Sequence, residues 1–293
     1  MNIIKREIKG KKYYYLQHSY RIKDKVEVAC KYLGPVIPDN IDQIKAELME
    51  SIDRKKWFMD LDKVKKSFSK EFKSMPKAAE DKYFDNFSIK FTYNTNRIEG
   101  STLTLKETAR LLEDGITPKN KPLKDVKEAE AHKLVFEKLL KERGDLNLRL
   151  VLRWHKMLFE TTDIEIAGII RKHPVAIAGS RFEPPQSNEL EYLLRRFFLW
   201  YHNNKDKLHP VEIAALVHLR FVTIHPFTDG NGRISRLLMN FILYRNGFPM
   251  LDIPYSNRTS YYNALERAQT KEMDRIFVQY LLKRYLKEYK RYC

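Results

Sequence analysis

From Ile41 onward, apolar residues return at three- and four-residue spacing. Ile44, Leu48, Ile52, Phe58, Leu61 and Val64 are the first of them. That period lays one apolar stripe along a helix, so it predicts a helix from Ile41 to about Met75. A second covers roughly Lys77 to Asn94. Another begins at Leu103-Thr104-Leu105-Lys106-Glu107, where Thr104 and Glu107 stand in capping-box spacing. The same pattern predicts helices over 123–142, 147–161, 188–204, 209–224, 231–246 and 258–289. Two stretches break it. Lys12-Tyr13-Tyr14-Tyr15-Leu16, His18-Ser19-Tyr20-Arg21 and the run Val26 to Leu33 are short, aromatic and β-branched, with Lys23-Asp24-Lys25 as a turn. They predict a small antiparallel meander, closed by Gly34-Pro35 and Pro38-Asp39-Asn40. Within Ile169 to Phe182, Val175-Ala176-Ile177-Ala178-Gly179 is β-like and Pro184-Pro185 ends the segment, which reads as a hairpin between helices. The class is mainly α: a β-rich appendage over residues 1–40 and a helical region over 41–293.

Composition narrows this picture. A chain of 293 residues with 43% hydrophobic and 12% aromatic content can bury a full core. Only 10 glycines and 12 prolines occur, which excludes collagen-like and low-complexity classes. The two cysteines, Cys30 and Cys293, supply neither a disulfide framework nor a CxxC metal site. No signal-peptide run opens the chain, and no stretch approaches the roughly 18 apolar residues of a membrane span. A reducing cytoplasm is the expected compartment. The net charge of +17 suits a polyphosphate substrate, nucleic acid or an acidic partner. Its scattered lysines and arginines are read first as solvated surface. Residues 1–40 hold nine basic side chains against four acidic ones. Basic strands with interleaved tyrosines can hold a single-stranded nucleic acid, but a lysine-protected edge strand has the same composition and is preferred.

The chemistry concentrates in His225-Pro226-Phe227-Thr228-Asp229-Gly230-Asn231-Gly232-Arg233-Ile234-Ser235-Arg236, between two apolar helical patterns. Gly230 and Gly232 let backbone approach a ligand. The helix starting there offers free N–H groups to phosphate oxygens. Arg233 and Arg236 are three apart and can clamp a polyphosphate. Asp229 is a hard carboxylate beside that anion site, as Mg²⁺ bridging phosphates requires. His225 titrates near neutrality and can take a proton from an attacking hydroxyl. Together these form a kit for phosphoryl or nucleotidyl transfer.

The segment resembles the Fic family signature, HPFx(D/E)GNGRxxR, at every set position. The resemblance covers about residues 41–290. It implies an all-helical core with a β-hairpin flap and transfer of AMP from ATP to a Ser, Thr or Tyr hydroxyl of a target protein. It implies His225 as general base, Asp229 as Mg²⁺ ligand, and Gly230, Asn231 and Gly232 as phosphate cradle. Arg233 and Arg236 would hold the β- and γ-phosphates. Thr95-Asn96-Arg97-Ile98-Glu99-Gly100 is similar to the family's inhibitory motif, (S/T)xxxE(G/N), in which Glu99 would pair with Arg236 and spoil the triphosphate pose. The segment 168–185 resembles the flap that receives a target strand. Arg258 to Leu265 resembles the helix that closes over the adenine, with Tyr262 and Gln269 at the base and ribose; many relatives carry Asn where Gln269 stands. Self-modification and a homodimer are further expectations from relatives. Other readings stay open. One is removal of AMP from a modified protein by the same site. The phosphate-transferring branch departs from the Gly-Asn-Gly-Arg run kept here. A non-enzymatic nucleotide-sensing regulator that binds nucleic acid through residues 1–40 would not need His225.

Overall fold

The computed structural model describes residues 1–22 and 25–293. The turn expected at Lys23-Asp24-Lys25 falls in part on Lys23 and Asp24, outside the described residues. The chain divides into two compact units, Met1–Lys63 with Cys293, and Val64–Tyr292.

The first unit contains a three-stranded antiparallel sheet, β1 (Asn2–Ile8), β2 (Lys11–Ile22) and β3 (Lys25–Gly34), in the order β1-β2-β3. Lys9 (φ 52°) and Gly10 (φ 74°) make the β1–β2 connection, two positive-φ residues whose twist matches the flanking strands. The two short tyrosine-rich segments are one continuous strand, because alternation runs unbroken through Gln17. Strand β1 was not expected, since its alternation is diluted by Lys5, Arg6 and Glu7. One sheet face packs on helix α1 (Ile41–Lys73): Leu16, Leu33, Leu48 and Ile52 form that core. Lys31–Glu47 (2.8 Å) and Lys55–Glu27 (2.6 Å) pair the charges around it.

The second unit is helical. After the end of α1 come α2 (Lys77–Ile98), α3 (Leu105–Asp114), α4 (Leu123–Lys141), α5 (Leu148–Phe159), α6 (Leu190–Asn204), α7 (Pro210–Ile224), α8 (Asn231–Arg245), α9 (Arg258–Thr270) and α10 (Asp274–Glu288). Helices α7 and α8 are its centre, buried along nearly their whole lengths. Trp154 of α5 is fully buried with its ring edge-on to Phe241 at 5.5 Å, so α5 packs on the second half of α8. Helix α2 runs four residues beyond its expected end and places Glu99 at its C-terminal cap.

Two expectations are corrected. The single helix over 258–289 is broken between α9 and α10 by a left-handed cap at Glu272 (φ 52°), with Met273 N–H bonded to Ala268 C=O. That geometry is usually made by glycine, so no glycine marks the break in sequence. Residues 168–185 form no hairpin ladder. The chain reverses through an Ile177–Ser180 turn, but Pro174, Pro184 and Pro185 remove donors, and a lone two-stranded ribbon is marginal in water. No described helix is long and apolar enough to cross a membrane.

The capping box at α3 is present. Thr104 accepts the Glu107 N–H at 3.2 Å while Glu107 accepts the Thr104 N–H at 2.8 Å. Thr104→Ala should therefore lower unfolding free energy by about 1 kcal/mol, and Thr104→Ser by much less, read from urea midpoints.

Candidate active site

Helix α7 ends at His225, which adopts a left-handed conformation (φ 51°, ψ 55°) while its N–H still bonds Phe221 C=O. A non-glycine residue there is held by its surroundings. Asn231 clasps the loop, accepting the Phe227 N–H (2.9 Å) and donating to the Phe227 carbonyl (2.8 Å). His155 of α5 stacks on Phe227 with centroids 3.7 Å apart. Its Nδ1 accepts the Gly168 N–H (2.9 Å), so Nε2 carries the proton it donates to the Asp229 carbonyl (3.0 Å). Arg171, 3% exposed, donates Nε to the His225 carbonyl, Nη1 to His173 and Nη2 to Pro185. Its own N–H bonds the Pro226 carbonyl. One buried guanidinium thus ties both ends of segment 168–185 to the loop that carries the histidine.

His225 sits beside a cavity of about 340 Å³ whose walls include Glu99, Ile177, Gly232, Arg236, Tyr262 and Gln269. Its Nδ1 lies 3.1 Å from the Val222 carbonyl. A carbonyl only accepts, so Nδ1 holds the proton and the Nε2 lone pair is left as the basic atom. Burial lowers the imidazole's affinity for a proton, and the nearby Arg171 charge works in the same direction. The ring is neutral at physiological pH, the state a general base needs.

The first turn of α8 supplies the anion-binding end. Gly230 has φ 83°, and a Cβ there would stand 2.5 Å from the Phe159 ring. A Cβ on Gly232 would collide with the Glu99 carboxylate. Asp229 remains ionised: burial raises its pKa, but the Arg233 charge and the Gly230 N–H outweigh it. Its Oδ1 receives Gly230 N–H (2.5 Å) and Arg233 (3.0 Å). An ionised carboxylate at the start of α8 fits a Mg²⁺ ion held by one protein carboxylate with the rest of its shell from phosphates and water. No group of three or more His, Cys, Asp or Glu that could hold a metal occurs among the described residues.

The two arginines differ. Arg236, 1% exposed, meets Glu99 Oε1 at 2.5 Å, Thr95 Oγ1 and carbonyl at 3.3 Å, and the Tyr261 hydroxyl at 3.3 Å. Arg233, 2% exposed, pairs with Glu128 (2.8 Å) and Asp229, and its guanidinium lies 4.6 Å over the Phe159 ring. It does not line the cavity, so a phosphate would reach it only by displacing those partners. Tyr262 donates its hydroxyl to the Ile98 carbonyl (3.1 Å), and Gln269 donates to Thr223 (3.1 Å). Of the expected site residues, Glu99, His225, Gly232, Arg236, Tyr262 and Gln269 share the cavity. Asp229, Gly230, Asn231 and Arg233 form the adjoining helix start. His155 and Arg171 were missed; they hold the catalytic loop through backbone groups 54 to 74 residues away, at Asp229 and His225, and left no local pattern.

A helical domain whose two central helices are joined by a histidine-bearing, phosphate-receptive loop defines the class. The model of the Fic/DOC family matches residues 145–243. A Fic domain-containing signalling protein from Bacteroides thetaiotaomicron superposes with TM-score 0.72 at 30% identity, covering 79% of this chain and 94% of that one. Fic-1 from C. elegans gives TM-score 0.71 at 28% identity over 87% of this chain and 77% of that one. Protein adenylyltransferase Fic of Drosophila ananassae is 30% identical over 282 residues, 91% of this chain and 54% of the relative. The chain belongs to the Fic family; it spans about half the length of the curated relatives it matches.

Burial holds His132 at about 3, His155 at about 4 and His218 well below 6.5, so all three fold neutral. The unfolded chain takes up their protons near 6.5, so this stability is complete above that pH and is lost as pH falls toward the folded values. Each should cost about 2 kcal/mol between pH 7.5 and pH 5, a large share of a domain's stability. Urea midpoints should fall steeply across that window; equal midpoints would contradict the buried neutral state.

Proposed function

We propose that this protein transfers AMP from ATP to a hydroxyl group of a target protein and that Glu99 restrains it. The observation that carries the reading is the neutral, tautomer-locked His225 in the same cavity as Arg236 and the first turn of α8. The similarity to a protein adenylyltransferase supports it. The target hydroxyl would give its proton to His225 Nε2 as its oxygen bonds the α-phosphorus. The bond from that phosphorus to the bridging oxygen breaks, and pyrophosphate leaves. The N–H groups of α8 and Arg236 would stabilise charge on the phosphates, where preorganised donors act most strongly. Bound Mg²⁺ would neutralise charge on the leaving phosphates, and Asp229 would hold it. Tyr262 and Gln269, at the far wall, would receive the nucleoside. The backbone at Ile177–Ser180 lines the same cavity and would align an extended target segment by strand addition.

Inhibition follows from charge. Glu99 pairs with a buried guanidinium that lines the cavity, so it competes directly with a phosphate for Arg236. It also fills the space above Gly232, where a phosphate would meet the helix start. Presence of that carboxylate beside His225 also supports a second reading, in which Glu99 positions water to remove AMP from a modified protein.

The test uses ATP labelled separately at the α- and γ-phosphate with wild type, Glu99→Gly and His225→Ala. Protein-bound α-label should rise in Glu99→Gly by ten- to a thousand-fold, at about 1.4 kcal/mol per decade. It should vanish in His225→Ala. Label from γ alone would make the enzyme a kinase and overturn the proposal. AMP-modified protein losing its label with wild type, but not with Glu99→Gly, would favour removal.

A further inference from the structure

The strand register sorts the N-terminal sheet into two chemically different faces. Cross-strand partners share a face, so Ile4 and Tyr32 lie on either side of Tyr15, Asn2 and Cys30 on either side of Gln17, and Arg21 beside Val26. The face toward α1 holds the Leu16–Leu33 core, and its Glu27 and Lys31 are both ion-paired. The opposite face is exposed and unbalanced. Tyr13, Tyr15 and Tyr32 form a contiguous row there, with centroids 6.0 and 5.2 Å apart. Tyr32 is 52% exposed, with Val28 (52%) and Val26 (62%) beyond it. Arg6 lies 4.9 Å over the Tyr15 ring, while Lys11 and Arg21 stand at the two ends of β2. Among the described residues this face carries three cations and no carboxylate.

We propose that this outer sheet face binds unpaired RNA. A row of rings flanked by cations matches a ligand that alternates flat bases with phosphates. Rings gathered on a sheet face meet the flat faces of splayed bases and not base-pair edges. Unpaired stretches are an ordinary state of RNA, whereas DNA is mostly duplex, which favours RNA as the occupant. The carboxylate-free face also argues against a basic peptide. A lysine-protected edge accounts for charges at the rim, but it does not account for three tyrosines gathered on one face. The inference stands apart from the proposed transferase activity, since none of these residues belongs to that site.

Fluorescence anisotropy of the full chain with a labelled, mixed-sequence 12-nucleotide single-stranded RNA tests it. Binding should weaken about twentyfold for a fourfold rise in salt, as expected for three released counterions on a single strand. Tyr15→Ala with Tyr32→Ala should weaken it at least tenfold, while Tyr15→Phe with Tyr32→Phe should retain it, because stacking needs the ring and not the hydroxyl. Circular dichroism of each variant confirms folding, and the phenylalanine pair keeps the test valid should the alanine pair unfold. Three results would overturn the proposal: no binding at low salt, equal binding of a duplex of the same length, or affinity unchanged in a folded alanine pair. DNA of the same sequence bound more tightly than RNA would overturn the choice of RNA.

Discussion

A guanidinium withdrawn from water must be paired or fully hydrogen-bonded, and helix α8 carries two within its first six residues. Arg233 and Arg236 are 2% and 1% exposed. Leaving either charge uncompensated would cost several kcal/mol, comparable with the stability of the whole domain. The surrounding helices can be read as the answer to that demand. Helix α4 brings Glu128 to Arg233, α5 brings the Phe159 face, α2 brings Thr95 and Glu99 to Arg236, and α9 brings Tyr261. Tyr261 is steadied in turn by His218 at 3.0 Å. The charges that suit the site to phosphate are thus also what draws four helices onto the start of α8.

The two arginines resolve the demand differently, and that difference shapes the site. Arg233 is paired with Glu128 and Asp229 away from the cavity, and its charge helps keep Asp229 ionised. Arg236 is held by Thr95, Tyr261 and Glu99 and lines the cavity, so there an incoming anion could exchange with a protein carboxylate. Two identical residue types, three apart, therefore hold different relations to a ligand, and the reason is which neighbouring helix carries the acid.

That distinction was beyond a reading of the chain alone. Local signals carried the helices, the Thr104–Glu107 cap and the loop from His225 to Arg236, because each is written within a dozen residues. Glu99 and Arg236 are 137 residues apart and were joined through a family resemblance; the 2.5 Å contact agrees with that pairing. Arg171 and His155 had no such help. Each acts through backbone carbonyls and amides, which every residue owns, so no partner residue type points to them. Glu272 ended α9 in a conformation ordinarily signalled by glycine, and the flap lost its hairpin to prolines and the lack of a third strand. Failures of this kind gather where the backbone is held by distant groups.

The same physics couples restraint to stability. In the proposed scheme, removing the Glu99 carboxylate would open the cavity to phosphate and would leave Arg236 with only hydroxyl and carbonyl partners in a buried setting. A charge in that position attracts the next available anion, and a nucleotide triphosphate is well matched to the gap. Affinity for nucleotide and the vacancy at Arg236 are then two descriptions of one unpaired charge. Under the proposed restraint, a carboxylate placed here would need no separate mechanism of recognition, because it is the protein's own partner for a buried charge. In that scheme, relief would require moving Glu99 away from Arg236; Glu99 caps α2, and the end of that helix is anchored by the Tyr262 hydroxyl on the Ile98 carbonyl. Tyr262 faces the same cavity, so a nucleoside that shifted its ring would loosen that anchor as its phosphates competed for Arg236.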